Sequence, residues 1–172
     1  MGAVYYGIPT KLADDLRVKY GLSVFVESGL GQGTTALWAE SRFDTVISIE
    51  TDGKSVARFR RDNPQSKVRV IEGDSTIEMA GITTRLQSPA LFWLDGHTDD
   101  FNPIMAELAA IHLSKLPHVI MVDDWRMFGT CAKWPSKEKV IAFSTSRFIE
   151  GRWTTGGRWA YDVDDVLVVE PI

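Results

Sequence analysis

The sequence predicts an α/β fold: a mainly parallel sheet with helices on both faces. Three observations carry that expectation. Short apolar runs recur along the chain, and most are followed by a helix-like segment, the pattern of βαβ units. A glycine-rich loop, Gly29-Leu30-Gly31-Gln32-Gly33, joins the first run to the helix after it. Acidic residues Glu27, Glu50, Asp74, Asp95, Asp123 and Asp124 fall at the ends of successive runs. Parallel strands bring their C-terminal ends to one edge, where open α/β sheets bind ligands, so this register points to a site.

The elements follow in order. Ile8, Leu12 and Leu16 repeat every four residues, Pro9 sits near the start of that helix, and Gly21 ends it. Ser23 to Val26 reads as the first strand and Thr34 to Glu40 as the helix beyond the glycine loop. Thr45 to Ile49 is the second strand. Lys54 to Arg61 is a helix stopped at Asn63-Pro64, because the residue before proline resists the helical region. Lys67 to Ile71 and Ala90 to Leu94 are the third and fourth strands. Asn102 caps a helix beginning at Pro103, with Ile104, Leu108 and Ile111 on its apolar face. His118 to Val122 is the fifth strand, and Lys137 to Phe143 is helical. Phe148 to Trp153 and Asp165 to Val169 read as two final strands. Apolar runs of this kind suit strands covered on both faces.

A chain of 172 residues suits one domain over 1–172, long enough to bury a substantial core. With 44% hydrophobic and 24% charged residues it has the balance of a soluble globular protein. A formal charge of -4 argues against a general nucleic-acid binder. Arg58, Arg60 and Arg61 read as a solvated helix face. The single cysteine, Cys131, allows no intramolecular disulfide and suits a reducing compartment. No run of 18 apolar residues suggests a membrane span, and Met1 to Lys11 lacks the pattern of a signal peptide, so a cytoplasmic protein is expected. A homo-oligomer is compatible with all of this.

The glycine loop lets the backbone turn sharply and approach a ligand, and it opens a helix whose free N–H groups attract an anionic group. Its spacing does not exclude a nicotinamide dinucleotide: counted from Gly31, the last position of G-x-G-x-x-A falls on Ala36. Glu50, at the end of the second strand, can accept both hydroxyls of a ribose. Asp74 can face an adenine amino group, and Ser75 can cap the following helix.

The ordered set VFVESGLGQGTT, VISIETD, VRVIEGDS, LFWLDGHT and HVIMVDDW, over roughly residues 23 to 125, resembles class I S-adenosylmethionine-dependent methyltransferases. PALFWLDGH with VIMVDDWRMFG looks like a group of small bacterial and viral methyltransferase-like proteins. The resemblance implies a Rossmann-like seven-stranded sheet of order 3-2-1-4-5-7-6 with the last strand antiparallel. It implies S-adenosylmethionine as cofactor, with Glu27, Gly29, Gly31 and Gly33 around its methionine part, Glu50 on the ribose, and Asp74 with Ser75 at the adenine. It implies methyl transfer to a small-molecule acceptor, most simply a hydroxyl. The strand-four motif of amino-methyltransferases, Asp/Asn-Pro-Pro-aromatic, is replaced by Leu94-Asp95-Gly96-His97.

Asp95, Asp123 and Asp124 end neighbouring strands, and carboxylates in one cleft repel unless protonated or bridged by a cation. Mg²⁺ suits such oxygen ligands, and the trio is similar to that of macrocin-type Mg²⁺-dependent O-methyltransferases. Asp95, His97 and Asp123 are the candidate catalytic residues, with His97 the candidate base because histidine titrates near neutrality. The other account is hydrogen-bonded loop carboxylates without metal. His112 and His118 read as structural. Trp38 and Trp93 read as core, and Trp125, Trp134, Trp153 and Trp159 as either a pocket floor or packing. Two rival functions stay open: a cofactor-binding module without methylation activity, and an NAD-linked oxidoreductase.

Overall fold

The computed structural model describes residues 7–98, 100–149, 152–155 and 158–171. Five parallel strands form its centre: β1 (Val24–Ser28), β2 (Thr45–Glu50), β3 (Arg69–Glu72), β4 (Ala90–Leu94) and β5 (Val119–Val122). Between them run α2 (Thr34–Glu40), α3 (Gly53–Asp62), α4 (Ser75–Thr83) and α5 (Ile104–Ile111), with α1 (Thr10–Tyr20) preceding β1. Beyond β5 come α6 (Lys137–Ser144), β6 (Ser146–Ile149), β7 (Arg152–Thr155), β8 (Arg158–Val163) and β9 (Val166–Pro171). The main sheet has the order β3-β2-β1-β4-β5-β9-β8, with β9 antiparallel to both of its neighbours. This is the expected seven-strand order, with β8 and β9 as the sixth and seventh strands.

Alternation along the strands builds a core on each face. Val24, Val26, Ile47, Ile49, Phe92 and Leu94 pack with Met79 and Ile82 of α4 and Leu108 and Ile111 of α5. Phe25, Val46, Leu91, Trp93 and Met121 pack on the other face with Ala13 and Leu16 of α1 and Ala39 of α2. Every residue of β1, β4 and β5 is buried, which is why β4, β5 and the first three residues of β1 read as unbroken apolar runs.

Three local expectations change. The segment read as one strand over Phe148 to Trp153 is instead a hairpin of β6 and β7, outside the main sheet. The sheet's sixth strand is β8, whose residues are half-buried or exposed, Trp159 and Asp162 among the exposed, and give no apolar run. At α4 the cap is Asp74, not Ser75: the Asp74 carboxylate accepts the Thr76 N–H at 2.8 Å, and Ser75 is the first helical residue, turned inward and buried. Helix α5 starts at Ile104, one residue later than expected, with Asn102 Oδ1 accepting the Ile104 N–H at 3.0 Å.

His112 and His118 take structural places. His118 Nδ1 accepts the Ala90 N–H at 3.0 Å, and burial pushes its pKa down to about 4, so the ring stays neutral. His112 Nδ1 donates to the Leu108 carbonyl at 2.6 Å. Among the described residues, no helix is long and apolar enough to cross a membrane.

Candidate active site

The C-terminal ends of the parallel strands open into a cleft of about 450 Å³. Gly29 and Gly31 line it after β1, and Ile49, Glu50 and Thr51 at the end of β2. Gly73, Asp74 and Ser75 line it after β3, Asp95 to Thr98 after β4, and Phe101 and Pro103 before α5. Backbone pairing continues past the strand ends: Gly29 N to Ile49 O at 2.9 Å, Gly73 N to Glu50 O at 2.9 Å, Asp95 N to Ser28 O at 3.1 Å and Asp123 N to Leu94 O at 3.1 Å. These bonds set the strand-end carboxylates at one level.

The loop glycines serve different ends. Gly29 has φ +88, and a Cβ there would lie 2.5 Å from the Asp95 carbonyl oxygen, so the β1 and β4 loops touch through backbone. Gly31 has φ +52, and a Cβ there would meet nothing within 4 Å, leaving its cleft side open to a ligand. Gly33 is not at the cleft: a Cβ would strike the Phe59 ring of α3 at 2.3 Å, so its work is helix packing.

Glu50 is half-buried at the cleft wall. Its Oε2 accepts the Gly31 N–H at 3.0 Å and its Oε1 the Asp52 N–H at 2.9 Å. A carboxylate has about four lone-pair sites, so it can still accept from ligand hydroxyls. Asp74 spends Oδ1 on Thr76, and no described group bonds its Oδ2. Glu27 is placed differently from the other expected cofactor residues. It shares a strand face with Phe25, is fully buried, and does not line the cleft. Ser48 Oγ donates to its Oε1 at 2.7 Å, its Oε2 has no partner among the described residues, and burial raises its pKa to about 8.

At the other end of the cleft, His97 Nε2 bonds Asp124 Oδ2 at 2.9 Å and lies 3.9 Å from Asp95 Oδ1. Arg126 Nη2 reaches Asp124 Oδ1 at 2.7 Å and the same guanidinium also pairs with Asp165. The bond to Asp124 raises the pKa of His97, and that same bond, with Arg126, lowers that of Asp124. Asp95 and Asp123 go the opposite way. Burial, then the charge of Asp123, lifts Asp95 to about 7; burial and the charge of Asp124 lift Asp123 to about 6. The side chains whose ligand atoms lie within 4.8 Å of one another are Asp95, His97 and Asp124, a different set from the expected Asp95, Asp123 and Asp124, while Asp123 turns its Oδ1 to the Asp124 N–H at 2.7 Å.

Two further groups stand here. Trp134 is buried, its ring edge-on to His97 with centroids 5.0 Å apart and to Phe128 at 5.0 Å. Trp125 is likewise buried against Phe128, while Trp159 is 66% exposed. The side chain of Trp153 lies outside the described residues. Glu107 of α5 is buried beneath Gly96, and burial lifts its pKa to about 7. The sequence reading passed over Glu107, although one acidic residue within Ile104-Met105-Ala106-Glu107-Leu108-Ala109-Ala110-Ile111 was the available signal.

No protein-family model matches the sequence, and no curated protein sequence does. Solved structures match in fold. An O-methyltransferase from Bacillus cereus in complex with S-adenosylhomocysteine (SAH) aligns with a TM-score of 0.66 at 17% identity, covering 98% of this chain and 84% of that one. CalS10, an amino pentose methyltransferase from Micromonospora echinaspora with S-adenosylmethionine bound, aligns at 0.64 with 12% identity, covering 95% and 89%. An rRNA methylase from Streptococcus thermophilus aligns at 0.55 with 13% identity, covering 98% and 99%. The fold is the Rossmann-like methyltransferase fold. Within that fold the cleft of this chain lies at the carboxyl ends of β1 to β4, where such sheets bind ligands.

The raised carboxyl groups make a stability prediction. Glu27, Asp95, Glu107 and Asp123 hold protons in the folded state at pH values where the unfolded chain has released them. Stability therefore falls as pH rises from about 4.5 through about 8, each group adding a slope of up to about 1.4 kcal/mol per pH unit within its own window. Melting temperatures between pH 5 and 8 are expected to decline, and Glu27→Gln is expected to flatten the decline between pH 7 and 8. A flat profile in the parent protein would mean these carboxyls are solvated.

Proposed function

We propose that this chain is an S-adenosylmethionine-dependent methyltransferase that methylates a hydroxyl of a small-molecule acceptor. One observation carries the proposal: a single cleft joins an open glycine turn, the ribose-type acceptor Glu50 and the free oxygen of Asp74 to a set of near-neutral carboxyls. Gly31 and Glu50 suit the sugar and amino-acid part of the cofactor, and Asp74 with Ser75 the base. When bound, the cofactor supplies an electrophilic methyl on a sulfonium.

The protein must hold the acceptor in line and take its proton. Asp95 suits the second task better than His97. It lines the cleft, and a group that titrates at about 7 is half ionised near neutrality. His97 is committed to Asp124 and raised in pKa, which makes it an orienting, charge-balancing partner of Asp95.

We propose a site that works without Mg²⁺, an ion that prefers oxygen ligands and keeps several waters. The converging set includes a ring nitrogen already bonded to Asp124, and Arg126 neutralises that same carboxylate. No step is routed through a metal. Millimolar MgCl₂ is expected to leave the melting temperature unchanged, with or without SAH; a rise abolished by Asp95→Asn or Asp123→Asn would restore the metal.

Calorimetry tests the cofactor. S-adenosylmethionine and SAH are expected to bind and NAD not to bind. Glu50→Ala removes charge-assisted hydrogen bonds to the cofactor and is expected to weaken SAH binding by roughly 10- to 100-fold, about 1.5–3 kcal/mol. Unchanged affinity in a folded variant would take Glu50 out of the site, and preferential NAD binding would favour an oxidoreductase.

A further inference from the structure

A second, smaller space adjoins the cleft and shares Asp95, Gly96 and His97 with it. Asp123, Glu107, Asn102, Phe128 and Trp134 also line it, with apolar side chains from β4, β5 and the start of α5. Resting on the methyltransferase proposal, we propose that the acceptor is a small amino alcohol whose ammonium group docks here, leaving its hydroxyl in the cleft beside Asp95.

The first argument is charge. Three carboxyls line this space, from Asp95, Asp123 and Glu107. Among the described residues the nearby cations are His97 and Arg126, which bond Asp124, with Arg126 also paired to Asp165, and Lys133, whose Nζ lies over the Trp134 ring at 5.1 Å. Acidic groups gathered without an equal number of cations disfavour an anion and favour a cation from outside.

The second argument is an unmet hydrogen bond. Glu107 is 1% exposed, and neither its Oε1 nor Ser28 Oγ makes a hydrogen bond of ordinary geometry, although the Ser28 and Ser75 hydroxyls lie near enough to act against the rise in the Glu107 pKa. Both crowd one point, since a Cβ on Gly96 would lie 2.9 Å from Ser28 Oγ and 3.2 Å from Glu107 Oε1. Only glycine fits there, and hydroxyls held off ordinary hydrogen-bond geometry satisfy a buried carboxyl poorly, so a charged donor would complete it. An ammonium brings three donors.

Size and lining separate an ammonium from a hydrated metal. The free volume is about 10 Å³, which takes one water-sized head group and no coordinated water shell. Trp134 and Phe128 supply aromatic surface, which attracts organic cations.

The test uses SAH-loaded protein and three probes of matched size: ethanolamine, ethylene glycol and glycolate, at constant ionic strength. Ethanolamine is expected to raise the melting temperature in the millimolar range, and the neutral and anionic probes not to. Glu107→Gln and Asp123→Asn should each weaken the ethanolamine effect about tenfold or more while SAH still binds. Either variant suffices if the other fails to fold. Equal effects of ethanolamine and ethylene glycol, or none from ethanolamine, would overturn the proposal, as would an ethanolamine effect that both variants retain. If SAH itself does not bind, the methyltransferase proposal falls first and takes this one with it.

Discussion

Asp95→Asn is expected to lower turnover by roughly 10²–10⁴, the usual contribution of a positioned general base, with SAH binding preserved. The geometry separates the base from its helper. Asp95 lines the cleft at the end of β4 and is held near neutrality by burial and by the charge of Asp123. Its deprotonated form is the active one, so kcat/KM should rise with pH through about 7 and level off above it. In Asp95→Asn that rising limb should vanish. His97→Ala should act differently. The positive charge of His97 lowers the Asp95 pKa, so removing it should move the limb to higher pH with a smaller loss at the plateau. The measurement is SAH release against pH for the three proteins. A large plateau loss in His97→Ala beside a mild one in Asp95→Asn would return the proton to the histidine, as the sequence alone suggested.

The proposed exchange of roles between His97 and Asp95 rests on contacts that the sequence does not show. Strands β1, β4 and β5 were legible because burial on both faces makes β4, β5 and the first three residues of β1 wholly apolar. The strand-end acids were legible for the same reason: the first polar residue after such a run marks the edge of the sheet. The glycine loop was legible as a turn, but not which glycine faces the ligand and which packs on Phe59. The partner of His97 was not legible. Asp124 lies 27 residues away and reaches it from a left-handed backbone at φ 54, a conformation uncommon outside glycine. That pair engages the histidine through Nε2, and Arg126 on the same carboxylate offsets part of the repulsion that had suggested a metal. Glu27 could have been placed better from the sequence. Strand alternation puts it on the face of Phe25 and Trp93, beneath the loop instead of in the cleft. Strand β8 was hidden for a different reason. An edge strand with one half-exposed face carries too weak an apolar signal to stand out beside a charged loop.

Gly31→Val is expected to weaken SAH binding by at least about 10²-fold, a loss of roughly 3 kcal/mol, while the protein still folds. The choice of glycine matters. At Gly29 any Cβ would press on the Asp95 carbonyl, and at Gly33 on the Phe59 ring, so substitutions there would disturb the fold and the site together. At Gly31 a Cβ meets no protein atom within 4 Å, so what valine fills is the open side of the cleft. The backbone penalty is separable. A left-handed φ of +52 costs a residue with a Cβ about 1–2 kcal/mol, which should lower the melting temperature by several degrees in any such variant. Gly31→Asn supplies the control, because asparagine tolerates that conformation; it should melt closer to the parent. Valine is also β-branched and stiff, so it cannot swing clear of a ligand. The Gly31 N–H to Glu50 contact adds a second route to the loss, since a shifted loop would misplace the Glu50 carboxylate. Calorimetry with SAH on the parent, Gly31→Asn and Gly31→Val distinguishes these terms. A graded loss from parent through asparagine to valine means steric exclusion of the cofactor. Full binding by the valine variant would mean that the ligand never approaches this turn, and the glycines serve the fold alone.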